Sequence, residues 1–216
     1  LIRVEFSEDS ELKTIGFRSF QSIAIESIII PSKMTTLGES AFSSCYNLKH
    51  IEFAHNSQLI TIEYSAFLCS TIVSLVIPSH VKTIKSSAFS HCRFLKQVEF
   101  SEDSELEVIE KYLFNSAAIE YIKIPSSVTK ICKCAFQECE QLKKIEFSED
   151  SKLKIIEEYA FEKTILEQIS IPLNVSELNE NSFANCSKLK SIFISKRSNL
   201  KVTKFNTCNA DIIYTD

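Results

Sequence analysis

The sequence predicts an α/β repeat solenoid. It is read as a right-handed coil with a parallel, concave β-sheet of about nine to ten short strands and short helical segments on the convex side. Three observations carry this. Pro31, Pro78, Pro125 and Pro172 follow one another at a constant step of 47 residues (78 − 31). Two phenylalanine series keep the same step: Phe20, Phe67, Phe114 and Phe161, and Phe42, Phe89, Phe136 and Phe183. Merged, they alternate steps of 22 and 25, so each period is two repeats of unequal length. Between the phenylalanines recurs a short period-two stretch of apolar residues, the mark of a strand with one face buried.

The 216-residue chain thus reads as a single solenoid over 1–216, with 195–216 a degenerate terminal repeat that could serve as a cap. Its strands are centred near residues 5, 29, 52, 76, 99, 123, 146, 170 and 193, and Ile212–Tyr214 is a weaker tenth. Typical members are Leu95, Val98 and Phe100, or Ile119, Ile122 and Ile124. Strands this short are unstable alone and must pair with neighbouring repeats. The next segment has apolar steps of three and four, as in Leu37, Ala41 or Phe42, Cys45 and Leu48, which fits a short helical turn. Its phenylalanine is expected to plug the space between the layers. The N-terminal residues Leu1–Phe6 already read as a strand in register, which suggests an array continuing upstream.

Composition narrows the function. Average usage would give about 15 glycines; the chain has 2, too few for a dinucleotide turn or a phosphate-cradling loop. The net charge of −4 argues against nucleic acid. No apolar run is long enough to cross a membrane.

The string Ile119-x-x-Ile122-x-Ile124-Pro125-x-x-Val128-x-x-Ile131-x-x-x-Ala135-Phe136-x-x-Cys139-x-x-Leu142 resembles the BspA-like class of leucine-rich repeats. The resemblance covers essentially the whole chain. The family pattern usually has glycine after the second isoleucine. Here Gly16 and Gly38 keep it, while Glu63, Lys85, Glu110, Cys132, Glu157 and Asn179 replace it, which questions any need for a left-handed residue. The resemblance implies an adhesion or surface-antigen module, at the cell surface or secreted, that binds an extracellular-matrix or cell-surface protein. An intracellular scaffold or structural spacer, using the convex or acidic-turn face, is the alternative, and a cytoplasmic location goes with it.

The candidate binding face is the outward side of the strands. Its central rung carries Glu52, Val76, Glu99, Lys123 and Glu146, with Tyr121 beside it. Apolar Ile29 and Val76 alternate with glutamates, which suits protein binding. A face copied with the repeat only to keep the sheet soluble would look similar. The turns Ser7-Glu8-Asp9, Ser101-Glu102-Asp103 and Ser148-Glu149-Asp150 stack at equivalent positions. They read better as backbone-bonding turns than as calcium loops. Cys45, Cys92, Cys139 and Cys186 recur as small core residues, too far apart on alternate coils to bridge. Cys208 falls one coil above Cys186, so a Cys186–Cys208 disulfide is a candidate. No metal, cofactor or catalytic group is implied: His50, His55, His80 and His91 lack a nucleophile and an oxyanion hole around them. Asn174-Val175-Ser176 and Asn185-Cys186-Ser187 are glycosylation tripeptides only if the chain is secreted.

Overall fold

A computed structural model describes residues 4–7, 9–200, 202, 205 and 208–216. Among these, seventeen strands form two parallel rows. The first row holds nine strands of four or five residues: β2 (Ser27–Ile30), β4 (His50–Phe53), β6 (Ser74–Ile77), β8 (Gln97–Phe100), β10 (Tyr121–Ile124), β12 (Lys144–Phe147), β14 (Gln168–Ile171), β16 (Ser191–Ser195) and β17 (Asp211–Thr215). The second row holds eight strands of two residues: β1 (Thr14–Ile15), β3 (Thr36–Leu37), β5 (Thr61–Ile62), β7 (Thr83–Ile84), β9 (Val108–Ile109), β11 (Lys130–Ile131), β13 (Ile155–Ile156) and β15 (Glu177–Leu178). Every coil after the first adds one long strand to its predecessor. The weak tenth strand exists: β17 pairs along its whole length with β16, Ile212 opposite Ile192. The strand expected at the N-terminus falls half outside the described residues. Leu1, Ile2 and Arg3 lie outside the described residues, and residues 4–6 are not assigned to a strand.

The convex side differs from the sequence expectation. No residue among those described is helical. In seven consecutive coils the segment around each phenylalanine holds two left-handed residues four apart, such as Ser40 and Ser44, or Cys134 and Glu138. A helix has no such residues. Each costs roughly 1–2 kcal/mol in a residue with a side chain. The hydrogen bonds explain why the chain accepts this. The N–H groups of Ser40, Phe42 and Ser44 donate to Tyr64, Ala66 and Leu68 of the next coil at 2.9, 2.7 and 2.7 Å. The intervening N–H groups of Ala41 and Ser43 close turns to Gly38 and Ser40 within the coil. Alternating handedness aims every second N–H at the next coil, so the turns form a hydrogen-bonded ladder of their own. The apolar steps of three and four fit this ladder as well as they fit a helix.

Inside, the rings of Phe20, Phe42, Phe67, Phe89, Phe114, Phe136, Phe161 and Phe183 stack with centroids 5.2–5.8 Å apart. Phe205 ends the column edge-on, at 75° to Phe183. The isoleucine and leucine columns of both strand rows pack around them in one continuous core. The cysteine column adds a polar detail. The Sγ atoms of Cys45, Cys92, Cys139 and Cys186 each donate to the carbonyl of the phenylalanine one coil earlier, at 3.0–3.2 Å. Cysteine is therefore more than a small apolar filler here. Burial pushes the thiols of Cys92 and Cys139 up to about 12.

Both glycines have ordinary negative φ, so neither is needed for a left-handed turn. Gly38 is needed for space. A Cβ there would lie 2.5 Å from the Ile15 carbonyl oxygen. Its neighbour Gly16 has room for one.

Candidate protein-binding face

The long strands alternate buried and outward residues along their length, which fixes what the face presents. Ile28, Leu75, Val98, Ile122 and Ile145 point into the core, and their neighbours point out. Glu52, Val76, Glu99, Tyr121 and Lys123 are all exposed, and Glu146 is half-buried. Each sequence candidate is thus on the expected face. Parallel register sets Val76 opposite Glu99, and Lys123 opposite Glu146. Ile29 and Val76 are 57% and 56% exposed, each beside a glutamate of the next coil.

Two groups of these side chains are organised by bonding. The Tyr121 hydroxyl donates to Glu146 Oε2 at 2.6 Å, and Lys144 pairs with the same carboxylate. The Lys144 ammonium also sits 5.7 Å above the Tyr121 ring. The Lys144 ammonium and then the Tyr121 hydroxyl hold the Glu146 carboxyl below its ordinary range, and the carboxylate pushes Tyr121 up to about 12. Gln97 Nε2 donates to Glu99 Oε1 at 2.6 Å. Gln97 and Lys144 lie two residues before Glu99 and Glu146 on the same strands, so the alternation of the sequence already puts each pair on one face; the bonds between them are what the structure adds.

The prolines shape the face in a way their spacing alone did not reveal. From each Ile-Pro coil to the next coil, the long strands pair over all four residues, as in β6 with β8. The last rung is carried by the N–H of the residue after the strand: Ala54 donates to Ile30, and Ser101 to Ile77. On the other side of each coil that rung would fall to Pro78, Pro125 or Pro172, which have no N–H. Pairing there shrinks to one residue pair between β4 and β6 and between β8 and β10. Between β12 and β14 no paired register remains. The strand ends splay and leave three grooves. The first, about 540 Å³, is lined by Glu52, Phe53, Val76, Pro78 and His80 among others. The second, about 330 Å³, is lined by Glu99, Phe100, Lys123 and Pro125. The third, about 410 Å³, is lined by Glu146, Phe147 and Pro172.

Cys186 and Cys208 are both free thiols, as are the other six cysteines. Cys186 Sγ is engaged with the Phe161 carbonyl at 3.0 Å and the Thr164 hydroxyl at 3.3 Å. Of the histidines, His80 Nδ1 lies 2.9 Å from Glu105 Oε1 on the exposed turn, a surface pair away from any nucleophile. Among the described residues, no three of His, Cys, Asp and Glu converge on one point. No helix of the described residues is long and apolar enough to cross a membrane.

The family model described as the BspA type leucine rich repeat region matches in six copies over residues 3–114 and 107–215. This chain belongs to that family. Solved structures similar to it include a leucine-rich repeat protein from Bacteroides ovatus, 24% identical with a TM-score of 0.65. They also include the pneumococcal vaccine antigen PcpA, 23% identical with a TM-score of 0.57. A third is a leucine rich cell surface protein from Faecalibacterium prausnitzii, 23% identical with a TM-score of 0.51. The matches cover 94%, 98% and 95% of this chain but 66%, 62% and 70% of those chains. No curated protein matches the sequence. At these identities the structures establish the fold. A BspA-type leucine-rich repeat protein is an interaction scaffold by class, and no catalytic family is indicated.

Proposed function

We propose that this chain is a non-enzymatic module that binds a protein at a cell surface or in a matrix, through the outward face of its long strands. One observation carries the reading. Ile29 and Val76 stand exposed in the central row of the face, with exposed Tyr121 in the row beside it, among charged side chains on a backbone held by two strand rows and a turn ladder. Exposed apolar residues framed by charge, on a surface that needs no ordering to bind, suit protein recognition. The likeness to PcpA, a vaccine antigen, and to a cell surface protein of Faecalibacterium supports a surface or secreted location. The whole of 1–216 then works as one solenoid, with the coil of 195–216 closing the aromatic column through Phe205.

The test uses the purified chain against immobilised extracellular-matrix proteins and cell-surface extracts, beside a Glu99→Lys plus Lys123→Glu variant. Saturable binding that the swap weakens supports the reading. Binding that the swap leaves unchanged removes the long-strand face from consideration. Absence of binding to every surface protein refutes the adhesive role of this segment.

A further inference from the structure

We propose that the face takes a basic polyproline-II segment, seating two cationic side chains three residues apart in the first and second proline grooves; this rests on the long-strand face being the interaction surface. The argument starts from what the grooves offer. Each has a carboxylate at its rim, Glu52 or Glu99. Each also has the carbonyl end of a strand, at Phe53 or Phe100, whose next-coil partner is a proline without an N–H to give. These are acceptors awaiting a donor. The walls are the phenylalanine and the proline, which suit the alkyl stem of lysine or arginine while its head reaches the carboxylate. Glu99 keeps Oε2 free beside the Gln97 bond to Oε1.

Spacing then selects the ligand's conformation. Glu52 and Glu99 are two coils apart, about 9.6 Å at a parallel strand spacing of about 4.8 Å and somewhat more across the splayed β4–β6 gap. A polyproline-II chain rises about 3.1 Å per residue with three residues per turn. Its residues i and i+3 lie on one side, about 9.3 Å apart. An extended β-strand covers a similar distance in three residues but turns i and i+3 to opposite sides. The exposed Val76 between the two glutamates, and Ile29 before them, give the ring-rich backbone of such a segment an apolar seat. The row stops at two cationic sites. Glu146 is already held by Tyr121 and Lys144, and Lys123, on the strand between Glu99 and Glu146, lines the far wall of the second groove.

The experiment is fluorescence anisotropy of the full chain, in low salt, with labelled peptides of repeating Arg-Pro-Pro. Controls are repeating Arg-Pro-Pro-Pro with the same number of arginines, and repeating Glu-Pro-Pro. Arg-Pro-Pro should bind, and Glu-Pro-Pro should not. Two exposed ionic contacts predict that Glu52→Gln plus Glu99→Gln weakens binding roughly three- to tenfold. Glu146→Gln should change it by less than about twofold, since that carboxylate is already engaged. Equal binding of the two arginine spacings would overturn the proposal, as would an unaffected double variant or no binding of Arg-Pro-Pro. A separate Val76→Lys variant keeps the two readings apart. If it loses a captured surface protein while Arg-Pro-Pro never binds, the face stands as an interaction surface and the ligand class proposed here falls.

Discussion

Replacing Phe136 with alanine removes an interior ring of the aromatic column. Phe136 is fully buried, with Phe114 at 5.4 Å on one side and Phe161 at 5.5 Å on the other. The neighbouring rings are pinned by their own coils, each through an N–H bonded to the next turn, so they cannot move to fill the gap. A Phe→Ala change in such a core costs about 3–5 kcal/mol, including the cavity. Of this, the two ring contacts supply about 0.5–1.5 kcal/mol each. Phe20 is the internal comparison. It is half-buried and, among the described residues, stacked on one side, against Phe42 at 5.2 Å. Half the burial and one ring contact predict about 1–2 kcal/mol for Phe20→Ala. Urea unfolding followed by circular dichroism measures both, with the slope checked for loss of cooperativity along the array. A cost for Phe136→Ala below about 1 kcal/mol would refute the inward-plug assignment. Equal costs at the two positions would refute the column as the source of the difference.

Three other outcomes are expected. Ser182 occupies the position of Ala41, Ala66, Ala88, Ala135 and Ala160, and its hydroxyl is buried without a partner; Ser182→Ala should raise stability by about 1–2 kcal/mol, and a loss in urea midpoint would contradict this. Pro78→Ala restores the missing donor, so the new amide should bond the Phe53 carbonyl and resist hydrogen exchange; exchange as fast as in an open turn would show that proline does not cause the splay. The Glu146 carboxyl, held low first by Lys144 and then by Tyr121, should titrate higher in Lys144→Ala and by less in Tyr121→Phe, read by carbon-13 NMR of its side chain. A group with a lowered folded value contributes stability above its unfolded pKa and loses it as pH falls through the folded one. Acid should therefore weaken this contact in wild type at lower pH than in either variant.

Much of the fold was legible because the buried columns repeat at fixed distances: the phenylalanines, the cysteines and the strand isoleucines all face where the periods put them. The convex ladder was not. Its left-handed positions are filled by serine, cysteine, tyrosine, histidine, arginine, lysine, asparagine and glutamate, with no glycine to flag them, and the apolar steps suited a helix equally. The second strand row has only two residues per coil, too short for a period to register. The face candidates were readable from alternation, but the grooves were not. Pro78 is visible in the sequence, yet its effect depends on which N–H should have met Phe53, and that is a matter of register.

The turn ladder also has an electrical consequence. Its inter-coil bonds all run one way, with N–H groups aimed at the following coil and carbonyls at the preceding one. Strand rows largely cancel their dipoles, but a file of parallel peptide bonds adds them up, as a helix does along its axis. One side of this solenoid is therefore a polar rail, positive toward the C-terminal coil and negative toward the N-terminal one. A carboxylate placed at the C-terminal end of that rail is favoured and one at the opposite end is opposed. Salt weakens both effects, and lengthening the array moves the two ends apart without strengthening either.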